Sequence, residues 1–153
     1  MLLLLALLSS CVIAQTNLSK SDMVKLDFKI LENTKRLVEK KDISVMPAYE
    51  QLLLKANTIL SYRPVSVMDK TDIPPSGSKH DYVSLAPYWW PDPASTNGLP
   101  YIKKDGQVNP EVKNFPDKES MPKLCENIYL LGIAYYLSKD EKYANKATAL
   151  LSV

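Results

Sequence analysis

Residues 128–151 read IYLLGIAYYLSKDEKYANKATALL. Together with Leu124 just before them, Ile128, Leu131 and Tyr135 recur at the spacing of one helix face. Ser138-Lys139-Asp140 then makes a short polar turn, and the period resumes at Glu141 with Tyr143, Ala147 and Leu150 turned inward. Two amphipathic helices joined by so short a link run antiparallel, so the stretch predicts a helical hairpin whose first helix begins at about Lys118. The apolar stripe is still running at Leu151-Ser152-Val153, with no Gly and no polar cap. We therefore expect the chain to be the N-terminal part of a larger all-α protein, truncated at its C-terminus.

Helices are also expected near the other end. From Ser19 to about Lys41, Phe28, Leu31, Leu37 and Val38 fit one helical face, with Ser19 or Ser21 available as cap. Pro47 suits the first turn of a second helix that continues through AYEQLLLKANTIL, where Tyr49, Leu52, Leu53, Ala56 and Leu60 form the stripe. Between the helical regions the composition changes. Nine of the eleven prolines and three of the four glycines fall within residues 61–117, which excludes long helices there. Seven of the thirteen aromatics fall there too, which argues against disorder. The segment reads as an ordered, extended excursion pinned to a helical scaffold.

The 153 residues suffice for one domain with a real core. A net charge of +2, without an Arg/Lys cluster interleaved with aromatics, sets nucleic-acid binding aside. The opening MLLLLALLSSCVIAQT is too short an apolar run to span a bilayer and fits the core of an export signal. One cleavage site follows Val12 and Ala14, making residues 1–14 a signal peptide and leaving no transmembrane helix in the mature chain. The alternative is a lipoprotein signal ending before Cys11, through which the chain would be lipid-anchored. Val-Ile-Ala after Cys11 makes a poor lipoprotein tether, so the first is preferred. Either way the protein is expected to be exported, periplasmic or secreted. Cys125 then remains as a lone thiol in an apolar helical stretch, where a core position is expected. No CxxC or His/Cys spacing supports zinc, and no metal or cofactor is expected.

The excursion holds the candidate site. Residues 76–93, SGSKHDYVSLAPYWWPDP, contain the only His and both Trp. Lys79 and His80 are suited to meet a carboxylate, and Tyr82 to donate a hydrogen bond or take part in proton transfer; the blander alternative is that His80 and Asp81 merely order the loop. Tyr88, Trp89 and Trp90 would either pack the excursion onto the helices or grip a ligand, and adjacent residues of an extended segment point opposite ways, so one ring is expected to face outward while the others anchor. Asp105-Gly106 reads as a turn, Asn109-Pro110 as structural, and Lys103 and Lys104 as a solvated pair that could also draw in a polyanion. With six Lys/Arg against seven Asp/Glu, residues 61–117 are no basic funnel.

SVMDKTDIPPSGSKHDYVSLAPYWWPDP (66–93), NGLPYIKKDGQVNPE (97–111) and the hairpin, in that order, resemble the alginate lyase family of polysaccharide lyases. The resemblance covers roughly residues 60–153; its two loop motifs are long and idiosyncratic, while the hairpin alone is weak. It implies an all-α fold, an (α/α) toroid of helical hairpins with this Pro/aromatic-rich loop excursion, built over residues 19–153 as the N-terminal part of the domain. It also implies binding of an acidic polysaccharide, a polyuronate, and β-elimination without need of a metal. The Asn-His and Tyr elements regarded as catalytic in that family lie downstream of the matched region, so the resemblance implies catalytic residues beyond Val153 and little activity in these residues alone. In the cleft of such a toroid Lys79, His80, Tyr82, Tyr88, Trp89 and Trp90 are the residues expected to bind substrate, with one of the three rings as a platform for a sugar face. Two alternatives stay open: a non-catalytic glycan-binding protein on a helical scaffold, and a toroid lyase or hydrolase acting on another acidic polysaccharide. Oligomeric state, the uronate concerned, and endo or exo action are open as well.

Overall fold

A computed structural model describes residues 26–152 of the chain. The expected export signal, Cys11, and the caps proposed at Ser19 and Ser21 lie outside the described residues. The fold is all-α. Among the described residues four helices, α1 (Phe28–Glu39), α2 (Met46–Ile59), α3 (Asp117–Ser138) and α4 (Glu141–Leu151), carry a long connection between α2 and α3. That connection contains a two-stranded antiparallel ribbon, β1 (Trp89–Trp90) and β2 (Ile102–Lys103), with Trp89 opposite Lys103 and Trp90 opposite Ile102.

Among the described residues, α1 starts at Phe28. Asp27 is extended, and its carboxylate accepts from the backbone N–H groups of Lys29 (2.8 Å) and Ile30 (3.3 Å), which makes it the cap. Leu31 and Val38 are buried; Leu37 and Phe28 are half-buried. Helix α2 has Pro47 in its first turn, where the missing N–H has no helical partner to lose.

The hairpin is closed by the polar turn. Lys139 adopts a left-handed conformation (φ 60°), and its N–H donates to the Tyr135 carbonyl at 2.8 Å. Asp140 caps α4 by accepting from the Lys142 N–H at 3.1 Å, and Ser138 Oγ accepts from the Asp140 N–H at 3.1 Å.

The core gathers Ala56 and Ile59 from α2, Leu131 and Ala134 from α3, and Tyr143 and Leu150 from α4. The Tyr143 hydroxyl donates to Asn57 Oδ1 at 3.0 Å, and Lys146 Nζ donates to the Tyr62 carbonyl at 2.7 Å; the second bond ties α4 to the start of the excursion. Helix α3 packs against α1, α2 and α4, so its buried positions extend around the helix to Asn127 and Leu137 rather than keeping to the narrow Leu124-Ile128-Leu131-Tyr135 stripe. Cys125 corrects the expectation of a core thiol: it is exposed, on the side of α3 away from Leu131 and Ala134.

Candidate functional site

The excursion is held to the scaffold by a buried ion pair. Lys70, just after a 3-10 turn (Val67–Asp69), and Asp117, the first residue of α3, are 1% and 3% exposed. Lys70 Nζ lies 2.8 Å from Asp117 Oδ2 and also donates to the Val67 carbonyl. The same carboxylate oxygen accepts from the Val83 N–H at 2.9 Å, and Lys79 Nζ donates to the Lys70 carbonyl at 2.8 Å. Buried charges persist only when paired and hydrogen-bonded, so this pair fixes residues 70, 79 and 83 against the start of α3.

Between the fixed points Lys79 and Val83, the residues His80, Asp81 and Tyr82 are exposed. Ser78 orders this turn: its hydroxyl accepts from the His80 N–H at 3.2 Å and its carbonyl from the Asp81 N–H at 3.3 Å. Neither the His80 imidazole nor the Asp81 carboxylate has a hydrogen-bond partner among the described residues. The Tyr82 ring borders a hollow of about 30 Å³ that Val65, Asp117, Ser120 and Met121 also line.

The second part of the site is the ribbon. Trp90 is half-buried; its indole N–H donates to the Gln107 carbonyl at 2.9 Å, and Lys104 Nζ lies 5.0 Å from the centre of its ring. Tyr88 and Trp89 are exposed. Asn109 locks the ribbon from behind: its N–H donates to the Pro87 carbonyl at 2.7 Å and its Nδ2 to the Trp89 carbonyl at 2.9 Å. Gly98 brings the connecting loop back, with φ +71° and a position so close to Pro91 that an added Cβ would sit 2.9 Å from the proline Cβ.

Glu111 Oε2 accepts from the Tyr101 hydroxyl at 2.9 Å and from Asn109 Nδ2 at 3.2 Å. The hydrogen bond to Glu111, then burial and the Glu111 charge, hold the Tyr101 phenol above the usual tyrosine range. Because the folded value is raised, the stabilisation is present below the ordinary phenol pKa and is lost as pH rises through the folded value. Glu111→Gln should therefore bring the Tyr101 titration down toward an ordinary phenol. Phenolate absorbance titrations, with Tyr101→Phe subtracted to isolate that residue, check this; equal midpoints in wild type and variant would contradict it.

Of the six residues expected to bind substrate, the structure leaves His80, Tyr82, Tyr88 and Trp89 open to solvent, and it engages the Lys79 ammonium and the Trp90 indole in holding the excursion together. Lys70 and Asp117 escaped the sequence reading. A charged residue defaults to the surface, and the one available cue was Asp117 following Pro116 at the start of a helix. Among the described residues no group of three or more His, Cys, Asp or Glu is placed to hold a metal, and no helix is long and apolar enough to cross a membrane.

The alginate lyase family model matches residues 66–153, more than half of the chain. Among solved structures, an alginate lyase from Bacteroides ovatus is 45% identical, with a TM-score of 0.67 over 82% of this chain and 32% of its own. The chain thus spans about a third of the length of that protein. No curated protein matches the chain.

Proposed function

Because this chain belongs to the alginate lyase family, we propose that it is part of an exported polysaccharide lyase that cleaves alginate or a related polyuronate by β-elimination. The observation that most supports this is the turn at residues 79–83. Its Val83 end is bonded to the buried Asp117 carboxylate and its Lys79 end to the backbone carbonyl of Lys70, while His80 and Tyr82 face solvent with side chains that have no hydrogen-bond partner among the described residues. Preorganised donors of this kind suit a polyanionic sugar, since they lose little freedom when the substrate arrives.

The chemistry sets the demands. A base takes the proton on C5 of a uronate, and the C–H electrons form a double bond to C4. The C4–O4 bond breaks, and the departing oxygen takes up a proton and leaves with the neighbouring sugar as its new reducing-end hydroxyl. The C5 proton is weakly acidic, so the adjacent carboxylate must be met by a cation or by hydrogen-bond donors. We place His80 and Tyr82 in that contact, with Tyr88 and Trp89 offering ring faces to the sugars and Lys79 and Trp90 acting through the positions they hold. The proton-transferring groups are expected elsewhere in the complete protein. Residues 1–14 are proposed as the cleaved export signal, and residues 19–153 as part of the toroid domain.

The test is the ultraviolet absorbance of unsaturated uronate ends released from alginate and glucuronan by the complete protein. A rising trace is expected on at least one polymer, and His80→Ala should lower kcat/KM about 10- to 100-fold, the equivalent of one charge-assisted contact. Unchanged kinetics would remove His80 from the site. Flat traces on every polyuronate would overturn the lyase reading, and retained glycan binding would then favour a non-catalytic binder.

A further inference from the structure

The ribbon register brings together two residues that lie far apart in the sequence. Residues directly opposite in an antiparallel pair project from the same face, with Cβ atoms about 4.5–5.5 Å apart. Trp89 stands opposite Lys103, so indole and ammonium stem share one face, while Trp90 and Ile102 share the other. One further contact agrees with this division: Lys104 Nζ lies over the ring of Trp90. Lys103 Nζ is paired with Asp105 Oδ1 at 2.9 Å, in the turn that follows β2. Trp89 is 44% exposed, and the side chains of Lys103 and Asp105 are 57% and 77% exposed.

We propose that Trp89 and Lys103 form a uronate subsite, in which the indole face stacks on a pyranose ring and the Lys103 ammonium leaves Asp105 to take the sugar carboxylate. The proposal rests on the polyuronate reading above and adds Lys103 and Asp105 to it. An aromatic platform alone would accept any sugar; the cation beside it selects an acidic one. An exposed ion pair is held weakly, so exchanging the Asp105 carboxylate for a uronate carboxylate costs little. Asp105 therefore acts as a competitor that keeps the lysine in position while the subsite is empty. Lys104, committed to the opposite face, cannot replace Lys103.

The test compares wild type, Lys103→Gln, Asp105→Asn and Trp89→Ala in the complete protein. All three substitutions are at exposed positions, and matching thermal melts verify the fold. Lys103→Gln should raise KM for a polyuronate about three- to tenfold with kcat unchanged, while Asp105→Asn should lower it by a smaller factor. Opposite signs from two neighbouring positions are not expected from general loosening of the loop. Calorimetric titration with uronate oligosaccharides and with neutral oligosaccharides of equal length gives a readout independent of turnover. Trp89→Ala should weaken both, and Lys103→Gln only the acidic one. If wild type cleaves polyuronate and Lys103→Gln changes neither KM nor affinity, the subsite is overturned and the lyase reading stands. If wild type cleaves nothing, the lyase reading falls, and the titrations still decide the subsite: selective loss with Lys103→Gln supports it, and equal affinity or no binding overturns it.

Discussion

Replacing Asp117 with Ala is expected to destabilise the protein by about 3–5 kcal/mol, because it strands the Lys70 ammonium away from water. The two side chains are 0% and 1% exposed and only 2.8 Å apart, so neither charge has solvent to fall back on. The Val83 N–H also loses its acceptor, which adds to the penalty at the turn that presents His80 and Tyr82. Lys70→Met should be similarly damaging, since it leaves the carboxylate unpaired. The double variant Lys70→Met/Asp117→Ala should cost clearly less than the sum of the singles, because no lone charge then remains buried. Urea unfolding of the four proteins measures this. A loss below about 1 kcal/mol for Asp117→Ala, within the range of an exposed pair, would show that the ion pair does not hold the excursion.

Leu131→Ala should cost about 2–5 kcal/mol by a different route. Leu131 is fully buried at the middle of α3, in the cluster that joins α2 to the α3–α4 hairpin, and its truncation leaves a cavity that three packed helices close only in part. None of the exposed rings Tyr82, Tyr88 and Trp89 belongs to that cluster. Well below the melting temperature, therefore, Leu131→Ala should lower the unfolding midpoint while leaving KM for polyuronate near the wild-type value. Asp117→Ala should change both. Equal KM shifts in the two variants would mean that scaffold packing, rather than the ion pair, sets the geometry of the site.

The hairpin was legible because its signals are local. The apolar spacing and the turn at Ser138–Asp140 lie within one continuous stretch, and the structure places them as expected. The cap of α1 at Asp27 was not singled out, because Ser and Asp residues compete as caps in sequence and the extended backbone at Asp27 is visible only in the fold. Cys125 was misjudged because an apolar helical neighbourhood does not say which face a residue occupies. The excursion could be recognised as ordered from its rings and prolines, yet its internal design could not be read. Lys70 and Asp117 are separated by 47 positions, and Trp89 meets Lys103 through a register set by a folded-back loop rather than by a two-residue turn. Such pairings depend on long-range geometry that composition and periodicity do not carry.

That the exposed side of this excursion is where a polyuronate lies is open to direct test by hydroxyl-radical footprinting of the complete protein with and without saturating polyuronate. Oxidation of Tyr82 and Trp89 should fall when the polymer is present, while the buried Tyr143 should keep its low, unchanged reactivity. Protection confined to other regions, with Tyr82 and Trp89 oxidised equally in both samples, would contradict the placement of substrate on residues 79–90 and Lys103.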